Sequence, residues 1–307
     1  MPVSMLRSNQ QSPVVRRLGA LTGFATALAV GLSSCSGQEP TGNPEPGQAE
    51  TSTGQATGRT ISDDFSGPDV NTELWELYGD QDGTGWPATN GGKWHRSQVS
   101  VKNGALTLSV DGDKLAALCL CGPEAGDMTY GDVSFDLKQI TPNKSVNFVA
   151  MLWPREKQPD GSIKRTGWPT EGELDFFESF DPLRKTGGYN IWWVDEPGND
   201  DLKVQLRDNS EQISKYPNFA QDTPVDFTKP QRIEVKWRPD VIEIHHGDKL
   251  VFRTDDPKIL DTLDGPMHLV LQTDMTSKDA VNSTPVKVEI DNVKMQGLND
   301  NSFSLAG

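Results

Sequence analysis

The segment Gly167-Trp168-Pro169-Thr170-Glu171-Gly172-Glu173-Leu174-Asp175-Phe176-Phe177-Glu178-Ser179 decides how this 307-residue chain folds. From Glu173 to Glu178 it reads as a strand in which acids and large apolar side chains interleave. Strict alternation sends Glu173, Asp175 and Phe177 to one face and Leu174, Phe176 and Glu178 to the other. That would drive the Glu178 carboxylate into the core, where an unpaired charge is costly. One extra residue removes the conflict. A β-bulge near Phe176-Phe177 turns Glu178 back to the side of Glu173 and Asp175 and frees both phenylalanines for the core.

With the bulge, Glu173 and Glu178 stand like positions i and i+4 of a strand, their Cα atoms roughly 13 Å apart. If each side chain leans toward the other, the carboxyl gap closes to roughly 5–7 Å, which spans the separation used by retaining glycosidases. Asp175 lies between them. Three carboxylates so close cannot all ionise freely, so at least one is expected to hold its proton to higher pH. A proton donor working near neutral pH needs such a shift. A solvated acidic strand is the bland alternative, but three acids on one face of an aromatic strand repel one another, a cost expected at functional sites.

Outward from this strand, short β-rich runs recur from Ile61 to about Gly297, separated by Gly, Pro, Asn and Asp clusters. Val99–Val101 and Ala105–Val110 flank a Lys-Asn-Gly turn; Ile233–Trp237 and Val241–Ile244 flank Arg-Pro-Asp; Lys249–Arg253 follows His-Gly-Asp. No long helical period and no internal repeat appears. The expected fold is all-β, an antiparallel two-sheet sandwich over residues 61–297. Residues 298–307 are polar and expected to fray. His245 and His246, at a hairpin turn, are expected to be exposed.

Residues 1–35 read as an export signal. Arg16-Arg17 precede an apolar run, Leu18 to Leu32, shorter than the roughly 20 residues a bilayer-spanning helix needs. The run ends in Leu32-Ser33-Ser34-Cys35. The arginine pair leaves a twin-arginine route open beside the general one. Residues 36–60 are almost wholly Gly, Pro, Ser, Thr, Gln and Glu, and read as a disordered tether.

The formal net charge is −15, and the first 35 residues contribute three arginines and no acid, so the acidity belongs to the rest of the chain. Such a surface repels phosphate backbones and argues against nucleic acid as a partner. Three cysteines do not make a disulfide framework. Cys119 and Cys121 would share a face of a strand. Their sulfurs are close enough to pair, but the bridge geometry is unfavourable for residues two apart, so two small core residues are the expectation. A zinc site would need further thiols or histidines, and none stand nearby in the sequence.

The acidic strand resembles that of glycoside hydrolase family 16, the laminarinase and lichenase family. Its bulged signature Glu-x-Asp-x-x-Glu is matched by Glu173, Asp175 and Glu178, and Trp168-Pro169 and Gly172 match the laminarinase-like version. Asp63-Asp64-Phe65, Val101–Leu106, Tyr130–Lys138 and Ile290–Val293 resemble other strands of that family, so the likeness covers roughly residues 61–297. It implies a concanavalin A-like jelly roll with the substrate cleft on its concave face. It also implies that Glu173 is the nucleophile, Glu178 the acid/base and Asp175 the residue that orients the nucleophile. No cofactor is required by that chemistry. Candidate cleft residues are Trp168, Asn190, Trp192, His95 and Gln272, with Trp193 turned to the core. A structural calcium would draw on Asp64, Gly104 and Asp291. Leu32–Cys35 resembles the lipobox of bacterial lipoproteins, which implies lipidation of Cys35, anchorage on the extracellular side of the membrane, and no other membrane contact. The expected activity is that of a retaining endo-glycosidase on a β-1,3- or mixed-linked glucan, acting as a monomer. The same residues would serve a transglycosylase remodelling wall glycan. A non-catalytic carbohydrate-binding sandwich would not need both glutamates. Departures at Leu269–Met275, Ser179-Phe180 and the long loop Arg155–Thr166 border the cleft and put the substrate in doubt more than the reaction.

Overall fold

A computed structural model describes residues 55–157, 163–164, 171–179, 181–194, 202–205 and 225–304. Residues 1–54, on which the expected export signal, Cys35 and most of the expected tether fall, lie outside the described residues, as do Trp168 and the Trp193 side chain. Strands are numbered β1 to β22 along the chain. One antiparallel sheet of eight strands runs β19 (Lys249–Thr254), β18 (Ile242–His246), β17 (Gln231–Trp237), β10 (Gly131–Ile140), β21 (Val286–Gly297), β6 (Ala105–Val110) and β5 (Val99–Lys102), with β1 (Thr60–Asp63) paired to β21. The other, of nine strands, runs β16 (Leu202–Gln205), β15 (Gly188–Val194), β14 (Glu173–Glu178), β11 (Val146–Pro154), β20 (Met267–Met275), β8 (Ala117–Cys119) and β2 (Glu76–Leu77), with β9 (Asp127–Met128) and β22 (Phe303–Ser304) at one end. A small ribbon of β3 (Trp86–Pro87), β4 (Lys93–Trp94) and β7 (Lys114–Leu115) and the pair β12 (Glu156–Lys157) and β13 (Ile163–Lys164) are the other strands among the described residues. Among the described residues one short α-helix, α1 (Pro257–Thr262), is capped by Asp256, whose side chain accepts the Lys258 N–H. The fold is the all-β sandwich expected. No helix among the described residues is long and apolar enough to cross a membrane.

Period-two burial makes the sandwich. On β10, Val133, Phe135 and Leu137 point inward, and on β17 Ile233, Val235 and Trp237 do the same. From the second sheet Phe148, Ala150 and Leu152 of β11 and Leu269 and Leu271 of β20 meet them. Alternate residues of the same strands, Val149, Met151 and Val270, form a separate cluster with Cys119 on the outer face of the nine-stranded sheet. That face carries the acids.

The domain is longer at both ends than the sequence suggested. Thr57 and Gly58 N–H groups bond to the Leu298 and Gly297 carbonyls, and Ala56 is buried, so order begins before residue 61. The tail does not fray from residue 298. Leu298 N–H bonds to the Tyr130 carbonyl, β22 pairs with β9, and the Arg59 guanidinium lies 5.5 Å from the Phe303 ring centroid. Two or three backbone bonds and one cation–π contact outweigh the polar composition that argued for fraying. Cys119 and Cys121 are joined as a disulfide rather than standing as two small core residues. Deleting residues 298–307 is therefore expected to cost about 2 kcal/mol and lower Tm by roughly 4–8 °C in a thermal melt; a frayed tail would leave Tm unchanged.

Candidate active site

The bulge is where the charge argument puts it. On the β11 side, Leu152 pairs with Leu174, Met151 with Asp175, Ala150 with Phe177 and Val149 with Glu178, so Phe176 is the extra residue. On the β15 side, Glu173 pairs with Trp192, Asp175 with Asn190 and Glu178 with Gly188. Five steps along β14 thus match four along β15. Paired residues share a face, so Glu178 stands with Val149 and Asp175 with Met151, both on the outer face. All three acids are buried there, at 1%, 4% and 7% exposure for Glu173, Asp175 and Glu178. Phe176 and Phe177 both enter the core.

Three sets of contacts hold this kink. The first is aromatic. Phe176 packs 6.1 Å from Phe135, and Phe177 lies 5.9 Å from Phe148 and 4.8 Å from Phe227, centroid to centroid. Such pairs add about 0.5–1.5 kcal/mol each beyond burial. The second is a hydrogen bond across the sandwich. His246 of β18 donates Nε2–H to the Phe176 carbonyl at 3.0 Å, its ring edge-on to Phe177. His246 is buried, contrary to the exposed turn expected, because it continues the inward face of Ile242 and Ile244. That alternation was the signal in the sequence. The third set fixes the residue after Glu178. Ser179 N–H bonds to Asn147 Oδ1 at 2.8 Å, and Ser179 Oγ accepts the Phe148 N–H at 2.8 Å. Buried Arg184 donates to the Ser179 carbonyl and to the Val146 carbonyl at 2.7 Å. Burial pulls its guanidinium down to about 10, still charged at neutral pH. Nothing in the sequence alone singled out Asn147 or Arg184, whose role depends on the turn that follows β14.

At the other end, Gly172 adopts φ +70, and a Cβ there would sit 2.7 Å from the Trp192 carbonyl oxygen. Only glycine lets the chain enter β14 this close to β15.

The structure brings several of the candidate cleft residues to the acids. Trp192 donates Nε1–H to Asp175 Oδ2 at 3.3 Å, and Asn190 stands directly opposite Asp175. Gln272 lies in the row of Glu178 through Val149, and its amide donates to Asp274 Oδ2 at 2.6 Å. His95 follows β4 of the separate three-stranded ribbon, with its Nδ1–H held by the Gly83 carbonyl at 3.1 Å. The calcium residues carry a different chemistry. Asp291 is ion-paired to Lys138 at 3.0 Å and its other oxygen accepts the Asn292 N–H, while Asp64 accepts the Ser66 N–H. Gly104 forms the turn between β5 and β6 with φ +70. An ammonium against Asp291 does not fit a divalent cation at the same carboxylate.

No protein-family model matches the chain, and no curated protein does. The fold has many solved counterparts. The catalytic domain of LamA from Zobellia galactanivorans superposes with TM-score 0.59 at 16% identity, covering 80% of this chain and 98% of that one. A Bacillus licheniformis β-glucanase gives 0.52 at 15%, covering 78% and 99%. A structure described with endo-acting O-glycanases that human gut bacteria express to initiate mucin breakdown gives 0.57 at 14%, covering 78% and 90%. The class so defined is the jelly-roll sandwich shared by laminarinases and β-glucanases.

His246→Leu removes the donor to the bulged carbonyl and is expected to destabilise the domain by about 1–3 kcal/mol. His246→Gln, which keeps a donor, should cost less; the comparison is read from denaturant midpoints.

Proposed function

We propose that the chain is a retaining endo-glycosidase that hydrolyses a β-linked polysaccharide, with a β-1,3- or mixed-linked glucan as the substrate. The observation that carries the reading is the register shift at Phe176, which sets Glu173, Asp175 and Glu178 in one row on the outer face of the sheet. A buried acid triplet beside an indole N–H is an expensive arrangement for stability alone, and proton transfer at a glycosidic oxygen uses it.

Glu173 attacks the anomeric carbon while Glu178 protonates the departing glycosidic oxygen. The leaving sugar diffuses away, Glu178 takes a proton from water, and that water displaces Glu173 by attack from the face the leaving sugar vacated, opposite Glu173. Asp175, two residues along on the same face and fixed by Trp192 Nε1, orients the nucleophile. Trp192 and Asn190 line the sugar path on β15. Each step moves protons between protein, sugar and water alone. The apolar run Leu18 to Leu32 and the cysteine that follows it support a lipid-anchored enzyme on the extracellular side of the membrane, held off the surface by the Gly/Pro/Ser/Thr-rich stretch after Cys35.

Glu173→Gln and Glu178→Gln are expected to lower release of reducing ends from laminarin or lichenan by at least about 10²–10⁴-fold, with glycan retention on an affinity gel unchanged. Two variants that still cleave would remove the catalytic assignment.

A further inference from the structure

The outer face of the nine-stranded sheet holds a second group of chemistry-bearing side chains, three strands from the acids. Cys119 ends β8 and pairs with Val270, which pairs with Met151, which pairs with Asp175. Cys119 and Asp175 therefore share one row, roughly 14 Å apart at strand spacing. Cys121 follows two residues later. The two sulfurs and a ring nitrogen of His268, on β20, all lie within 4.8 Å of one another. Among the described residues this is the one such group of histidine, cysteine or acidic side chains that could share an ion. Cys119 and His268 are buried, at 3% and 4% exposure.

The surroundings are those of a ligand set. Glu76, which pairs with Cys119 across β2 and β8, brings Oε2 to 3.7 Å from Cys121 Sγ. On the far side, the fully buried Asp127 places Oδ1 3.4 Å from His268 Nδ1, and Arg155 Nε lies 2.9 Å from that carboxylate oxygen and donates to His268 Nδ1 at 3.3 Å. In a ligating His268, Asp127 would accept Nδ1–H in place of the bond that Nδ1 now accepts from Arg155 Nε, which fixes the tautomer for the metal. Two sulfurs, one imidazole and a carboxylate at the edge are a tetrahedral zinc donor set, and a poor one for calcium or magnesium. Sequence spacing hid the site because β20 delivers the histidine from 147 residues beyond Cys121.

We propose that Cys119, Cys121 and His268 form a redox-gated zinc site, closed in the disulfide state and open when the sulfurs are reduced. Two molecules of a small thiol supply the two electrons and two protons that turn the disulfide into two thiols, and leave as their own disulfide. Zn²⁺ then binds both sulfurs as the two thiol protons depart, with His268 as third ligand and Glu76 the nearest fourth. The site is independent of whether the acids on β14 hydrolyse a glycan.

The test uses the full chain carrying Cys35→Ser, which removes the third thiol. The protein is reduced with a phosphine, freed of it, and titrated with zinc alone against a chromophoric chelator. The reduced chain should take up one equivalent and the disulfide form none. Cys119→Ser and His268→Gln, each checked by circular dichroism, should weaken uptake by at least about 100-fold. Cobalt(II) in place of zinc should give a thiolate charge-transfer band in the reduced chain. Equal uptake by reduced and disulfide forms, or cobalt binding without that band, means adventitious surface binding and overturns the site.

Discussion

A carboxylate cannot stay ionised among phenylalanines without a partner, and that constraint governs how β14 is built. The run Leu174-Asp175-Phe176-Phe177-Glu178 places two aromatics in succession, so a regular strand must bury either a charge or expose a phenylalanine. The chain inserts Phe176 as an extra residue and satisfies both demands. The rest of the sandwich then serves the kink. Phe135, Phe148 and Phe227 pack against the doubled phenylalanines, and His246 crosses from the other sheet to bond the carbonyl that the bulge exposes. The acids reach one face because the core beneath them is aromatic, dense and supplied with one donor.

The elements that were legible in the sequence share one property: their evidence is local. Period-two alternation on β10, β17 and β21 announced the sheets, and the conflict between alternation and charge announced the bulge. That Asn190 and Trp192 share a face followed from their spacing on one strand, and the register of β15 against β14 puts that face with the acids. What was not legible came from distant segments. His246 reads as a turn residue from its Gly-Asp neighbours, although Ile242 and Ile244 set its parity. The tail looked polar enough to fray, yet Leu298 and Phe303 find partners in Tyr130 and Arg59 from far up the chain. His268 meets two cysteines that precede it by well over a hundred residues, a meeting decided by the order of β8 and β20 in the sheet.

The outer face of the nine-stranded sheet thus has two chemical districts on one floor. Toward β14 and β15 it carries carboxylates, an amide and an indole, groups that bind sugars and move protons. Toward β8 and β2 it carries sulfur, imidazole and a carboxylate, with Val149, Met151 and Val270 as the apolar strip between them. Gly172 and the Ser179–Asn147–Arg184 cluster clamp the two ends of the acidic strand. Clamping both ends leaves the bulge as the place where the strand's geometry is set.

The separation of Glu173 and Glu178 decides the stereochemistry of any glycosidic cut they make. Proton NMR of the first product formed from a β-glucan reads that separation directly. The account predicts that the new reducing end appears first as the β-anomer and then mutarotates. A first-formed α-anomer would place the two carboxyls too far apart for a shared sugar carbon and would contradict the geometry on which the account rests.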